Sequence, residues 1–181
     1  MRFFLDLTIT EEDYLAFNYF HILDSNAGKK QFRKSSIRFV IMIIAVLLLV
    51  FLVDKRTTFI IIYGIFGVLY TILVLLLHKP RAKRRIKRNI RNTQKDGQTV
   101  FDAVSKIEFY EDMLVEITSN KRTEQSYSGI ERICILKDRY VFLYNSSDSA
   151  YVLPIPQINA QVDYTAFMEY LSQKCNEIEY Y

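Results

Sequence analysis

FVIMIIAVLLLVFLV (Phe39–Val53) and FIIIYGIFGVLYTILVLLL (Phe59–Leu77) stand almost back to back, separated only by Asp54, Lys55, Arg56, Thr57 and Thr58. A helix rises about 1.5 Å per residue, so about 20 mostly apolar residues cross a bilayer core, where no water can satisfy stray backbone groups. The second run, 19 residues long, meets that requirement directly. The first has 15 residues, or 17 if Ile37 is added and Arg38 extends its guanidinium toward the headgroups. Two buried core helices of a soluble protein would instead need enough surrounding chain to cover both on every side. The pattern predicts a transmembrane helical hairpin.

Working outward, Lys29, Lys30, Arg33, Lys34 and Arg38 precede the first run, and Lys79, Arg81, Lys83, Arg84, Arg85, Lys87, Arg88 and Arg91 follow the second. Only Lys55 and Arg56, beside Asp54, lie between the runs. By the positive-inside rule both flanks are cytoplasmic and the turn reaches the far side, as in a two-span protein of the cell (inner) membrane. The first 36 residues contain no apolar segment of their own, so no secretory signal is expected and the first run stays as an anchor. Neither core run contains Asp, Glu, Lys, Arg or His, which makes the hairpin an anchor rather than a channel. Gly64, Gly67 and Thr71 share a face of the second span, with Ala45 as the small residue in the middle of the first. Small residues let helix backbones approach closely, either within the hairpin or between copies in a homo-oligomer.

The net charge of +4 hides a partition. Residues 37–99 carry 12 Lys and Arg against 2 acidic residues, whereas residues 100–181 carry 7 against 13. The basic neck therefore predicts contact with anionic lipid headgroups through Lys79, Arg81, Lys83, Arg84, Arg85, Lys87, Arg88 and Arg91. Nucleic acid is not needed to explain it, and the acidic remainder disfavours both nucleic acid and phosphoinositide-type headgroup binding by that segment.

Chain organisation follows from periodicity. Phe3, Leu5, Leu7 and Ile9 alternate with Phe4, Asp6 and Thr8, a half-buried strand. Thr10, with Asp13 three residues on, caps a following helix that Asn26, Ala27 and Gly28 end. Pro80 suits the first turn of a juxtamembrane helix with Ala82, Ile86, Ile90 and Thr93 on one stripe, ended by Asp96 and Gly97. Short strands then follow at 104–110, 114–119, 122–128, 130–136, 140–145 and 151–155, before Asp163 caps a final helix carrying Phe167, Tyr170 and Leu171. The expected organisation is a cytoplasmic strand and helix at 1–36, the hairpin at 37–78, a basic helix at 79–99 and an antiparallel β domain at 100–181 closed by its C-terminal helix, a membrane α+β architecture. If the first strand pairs with the later sheet, the two cytoplasmic pieces are one domain interrupted by the hairpin.

This order of features, with "TITEEDYLAFNYF", "FYEDMLVEI", "YSGIERI", "DRYVFLYNSSDSAYVLPI" and "FMEYL", resembles the YcxB-like family of bacterial membrane proteins over almost the whole chain. The resemblance implies a small pleckstrin-homology-like (PH-like) domain: a bent sheet capped by a C-terminal helix. Tyr127, Ile130 and Ile133 match the family's aromatic and apolar strand positions, with Tyr127 where tryptophan is common, and Val152, Leu153 and Pro154 match its terminal stretch. No catalytic residue carries over.

Enzyme chemistry finds no footing in the residues either. The acidic pairs Glu11 with Glu12, Glu111 with Asp112 and Glu177 with Glu179 fall at a helix start, a turn and the tail; the serines have no elbow or histidine partner; the five glycines are scattered. His21 and His78 have no second ligand at metal spacing, and Cys134 and Cys175 form no CxxC, so no cofactor or metal is expected. The function expected is membrane-anchored binding or scaffolding of an unknown protein partner, with Tyr127, Tyr140, Tyr144 and Tyr151 as a partner surface or as buried structural aromatics. Immunity or self-protection against a bacteriocin or toxin is the alternative, carried by size and topology alone.

Overall fold

The computed structural model describes residues 1–53, 57–95, 104–175 and 177–181. It divides into two compact units: a helical unit of residues 18–92, and an α+β unit made of residues 1–17 together with 93–181. The turn at Asp54–Arg56 and the helix end expected at Asp96 and Gly97 lie outside the described residues.

In the α+β unit, β1 (Phe3–Thr8) does pair with the later sheet. It lies antiparallel to β2 (Val104–Phe109), with Leu5 opposite Ile107 and Leu7 opposite Ser105. β3 (Met113–Thr118) and β4 (Arg122–Ser126) complete this first sheet in the order β1-β2-β3-β4. The alternation read in the sequence is the cause: Leu5 and Leu7 are fully buried while Phe4, Asp6 and Thr8 face out. Residues 1–17 therefore belong with 93–181 in one unit, while residues 18–36 fall in the helical unit.

The second sheet contains β5 (Arg132–Leu136), β6 (Tyr140–Tyr144) and β7 (Ala150–Pro154) in antiparallel order, with a short β8 (Ile178–Tyr180) added parallel to β5. One buried cluster unites both sheets: Leu5, Leu7, Ile107 and Phe109 from the first, and Ile133, Ile135, Val141, Leu143 and Leu153 from the second. α5 (Tyr164–Lys174) adds Phe167, Tyr170 and Leu171 to it, and its N-cap Asp163 accepts hydrogen bonds from the Thr165 and Ala166 amides as expected. The Phe167 ring meets Phe3 and Phe109 edge-on at 5.4 and 5.0 Å, so the helix is fixed by both parts of the interrupted domain.

Two strands are shorter than the sequence suggests. The strand expected to run to Ser128 stops at Ser126, and the next begins at Arg132 rather than Ile130. Between them Tyr127–Gly129 form a 3-10 turn that drives Tyr127 inward, where its hydroxyl bonds that of Tyr170 at 2.9 Å. Tyr170 in turn donates to the Tyr110 carbonyl, which leaves Tyr127 as the donor of the pair. The sequence reading also missed α4 (Ile155–Asn159) and β8, each too short for a periodic signal.

In the helical unit, α1 (Glu11–Tyr19), which begins in the α+β unit, passes into a π-helical turn at Phe20–Asp24. A sharp corner at Ser25 then opens α2 (Asn26–Val53). Ser25 Oγ accepts from the Gly28 amide at 3.0 Å and donates to the His21 carbonyl at 2.6 Å. Asn26 and Gly28 thus belong to the new helix rather than to a break. Glycine is required at 28 because a Cβ there would lie 2.5 and 2.6 Å from the carbonyl oxygens of Ile22 and His21.

α3 (Thr57–Lys95) is one unbroken helix that carries Pro80 in its interior, so the basic neck is its continuation and not a helix begun by proline. α2 and α3 run antiparallel: Phe32 stacks on His78 at 3.7 Å, Phe39 meets Tyr70 at 5.7 Å, and a Cβ on Gly67 would sit 3.2 Å from Ile43.

The interrupted domain makes a direct prediction. Residues 100–181 expressed alone lack β1 and expose the buried partners of Leu5 and Leu7, so they should show no cooperative urea unfolding, whereas a chain fusing 1–17 to 93–181 through a flexible linker should. In that fusion Leu5→Ala should cost about 2–5 kcal/mol, and an unchanged unfolding midpoint would refute the shared core.

Candidate functional site

Two surfaces carry the features singled out in the sequence. The first is the apolar and basic surface of the helical unit. Its apolar residues are mostly uncovered: Leu49 is 62%, Phe66 66% and Leu76 71% exposed. Among the described residues one helical stretch, Gly64–Asn92, is long and apolar enough to cross a membrane, its most apolar 18-residue window having a mean hydropathy of 1.4 and no buried residue. Exposed apolar residues gathered in this way mark an interaction surface.

The eight basic residues of the neck sort into two faces. Lys79, Lys83, Ile86 and Ile90 recur at helical spacing on one side. There Lys79 pairs with Asp24 at 3.3 Å, the Lys83 ammonium lies 5.4 Å from the centre of the Tyr19 ring, and the two isoleucines are buried. Arg81, Arg84, Arg85, Arg88 and Arg91 occupy the opposite side, with Lys87 at its flank. All six are exposed and make no ion pair among the described residues. The two faces were not separable by counting charge.

Of the small residues expected to pack the helices, Gly67 makes the close approach, to Ile43, and Thr71 Oγ1 donates to the Gly67 carbonyl at 2.8 Å. Among the described residues nothing lies within 4 Å of where a Cβ on Gly64 would stand, and Ala45 is exposed.

The second surface is the side of the second sheet that faces away from the common core. β6 is buried on both faces, since Val141 and Leu143 point into the core while Phe142 and Tyr144 point the other way and are equally buried. α1 covers them: the Phe17 ring lies 5.4 Å from Phe142 and 5.8 Å from Tyr144, and Tyr140 donates to Asp13 Oδ1 at 2.8 Å. Beside this layer, on the β5 edge, the Glu179 carboxylate accepts from the Cys134 thiol at 3.3 Å and the Tyr181 hydroxyl at 2.9 Å. The Arg132 guanidinium lies 4.0 Å from it and 4.3 Å from the centre of the Tyr144 ring.

This geometry decides the part played by the four tyrosines. Tyr127, Tyr144 and Tyr151 are buried, so their rings are structural and do not form a partner surface; Tyr140 is half-buried and held by Asp13. Burial and then the Asp13 bond push the Tyr140 hydroxyl up to about 12. No group of three or more His, Cys, Asp or Glu among the described residues is placed to hold a metal ion.

Burial, reinforced by Glu179, pushes the Cys134 thiol from 9.0 up to about 12, and burial pushes Cys175 up to about 11. Folding therefore favours the neutral thiols. The stability this supplies is complete below about pH 9 and is lost as pH rises through 11 to 12. The urea midpoint should accordingly hold to about pH 9 and fall above it, and iodoacetamide at pH 8 should label both cysteines only after unfolding; rapid labelling of the folded chain would contradict the burial. No family model, curated protein or solved structure matches this chain.

Proposed function

We propose that the chain is a membrane-anchored, non-catalytic binding or scaffolding protein of the bacterial inner membrane. α2 and α3 cross the bilayer as a hairpin, both flanks lie in the cytoplasm, and the α+β unit is presented there to a protein partner. The observation that carries this reading is the uncovered apolar surface of the antiparallel helix pair, continued on α3 by the free arginine face at Arg81, Arg84, Arg85, Arg88 and Arg91. Apolar side chains in that number are stable only in contact with lipid or protein. Arginines immediately beyond them suit anionic headgroups and hold their end of the span on the cytoplasmic side.

The α+β unit is read as PH-like. Four antiparallel strands, then three more, and a C-terminal helix plugged against both sheets support that reading. Its own net negative charge favours a protein over a lipid as its ligand. Both cysteine thiols are buried and held neutral well above pH 7, the opposite of an activated nucleophile, which favours binding over catalysis.

Both native cysteines are buried, so introduced cysteines report topology cleanly. In intact cells an impermeant maleimide should label Thr57→Cys, at the start of α3, and should reach Lys30→Cys and Arg88→Cys only after the membrane is permeabilised. Gentle crosslinking of those membranes should then capture a partner on the α+β unit. Recovery of the chain from the soluble fraction, or labelling of Lys30→Cys from outside, would overturn the topology; an isolated monomer after crosslinking would overturn the scaffold.

A further inference from the structure

The strand edges of the α+β unit are closed in different ways. On β1, the side-chain amide of Gln161 accepts from the Asp6 amide at 2.7 Å and donates to its carbonyl at 2.9 Å, and Gln157 does the same for Thr8 at 2.9 and 2.8 Å. β4 presents exposed Arg122 and Glu124, and β7 ends in Pro154, all features that discourage further strand pairing. Among the described residues β5 alone of these edges is closed by a strand, and that strand is minimal.

β8 is three residues long, parallel to β5, with Ile178 opposite Ile133, Glu179 opposite Cys134 and Tyr180 opposite Ile135. The Ile133 amide donates to the Glu177 carbonyl at 2.9 Å, Tyr181 to Ile135 at 2.9 Å, and Lys137 to the Tyr181 carbonyl at 3.1 Å. Two side chains add selectivity to this backbone pairing. Ile178 packs, partly buried, against the common core. Glu179, on the other face, meets the cluster of Cys134, Tyr181 and Arg132, where the Arg132 and Glu179 side chains are only 18% and 20% exposed. Tyr180 is 76% exposed and contributes little beyond its backbone.

We propose that the β5 edge is a peptide-acceptor site, filled in cis by Glu177–Tyr181. Its ligand in trans is an extended segment of a protein partner that enters parallel to β5, with an apolar residue at the Ile178 place and a carboxylate at the Glu179 place. Strand addition of this kind draws affinity from the main chain and specificity from alternate side chains. The acceptor strand meets that carboxylate with the Cys134 thiol at 3.3 Å and the Arg132 guanidinium at 4.0 Å, a charge-assisted recognition contact largely shielded from water. The inference deepens the reading of the α+β unit as a binding module and rests on it, but not on the membrane anchor.

The test uses the full chain and a chain ending at Cys175, both in detergent, with a fluorescent peptide of residues Asn176–Tyr181. The shortened chain should bind the peptide. The full chain, whose own segment competes at a high effective concentration, should bind it at least about 100-fold more weakly. Peptide carrying Glu179→Gln should lose about tenfold. A shortened chain that keeps its near-ultraviolet dichroism yet shows no saturable binding overturns the proposal.

Should that chain fail to fold, hydrogen exchange on the full chain decides. Arg132→Gln should speed exchange at the Tyr181 amide while leaving β6 unchanged; equal protection with and without Arg132 overturns the proposal. Absence of peptide binding alongside a crosslinked partner would retire the β5 edge and leave the binding module standing, whereas loss of both would retire the module.

Discussion

Everything in the α+β unit depends on six residues, Phe3–Thr8, finding a partner about a hundred positions away. Without the β1–β2 ladder, Leu5 and Leu7 leave the core, Phe167 loses Phe3, and the Gln157 and Gln161 amides have no edge to close. Closing a loop of that length costs conformational entropy that grows with the logarithm of its length. Contacts within the helical unit offset part of that cost. Its helices run antiparallel, and the contacts of Phe32 with His78, Asp24 with Lys79 and Tyr19 with Lys83 hold the two ends of the insertion side by side. A long excursion becomes, for the strands, a short one.

The same constraint explains the division of labour along the neck. One face of α3 holds the outgoing chain, at Asp24 and Tyr19, through Lys79 and Lys83, and two buried isoleucines continue that face. Lysine suits the role because its long stem reaches over an aromatic ring or to a carboxylate from an exposed backbone position. The arginines are left free, and their planar, multiply donating heads match phosphate oxygens better than an ammonium does.

Much of this was legible in the sequence, and the failures share a cause. The strands from Val104 to Pro154, the Asp163 cap and the apolar runs all announce themselves through local periodicity or capping chemistry. The pairing of β1 was only half legible: the alternation of Phe3, Leu5 and Leu7 demands a partner face but does not say where it is. Tyr127, Tyr144 and Tyr151 were ambiguous for a similar reason, because an aromatic in a strand reads alike whether its face meets solvent or, as with Tyr144, a helix from the far end of the chain. The corner at Ser25 shows the opposite failure. Asn26, Ala27 and Gly28 look like a helix stop, yet the glycine is there for the approach of two carbonyls and the helix has already restarted. β8 and the cluster around Glu179 left no signal beyond the acidic pair Glu177 and Glu179 in an aromatic tail, since three residues are too few to show a period.

The glutamine pair on β1 has a consequence for crowding. A primary amide offers a donor and an acceptor with nearly the spacing of a peptide group, so two side chains substitute for a fifth strand at no cost in chain length. Crowded copies of any sheet protein risk meeting edge to edge. An edge already answered by its own glutamines gives such meetings nothing to zip onto, and the neighbours slide past one another.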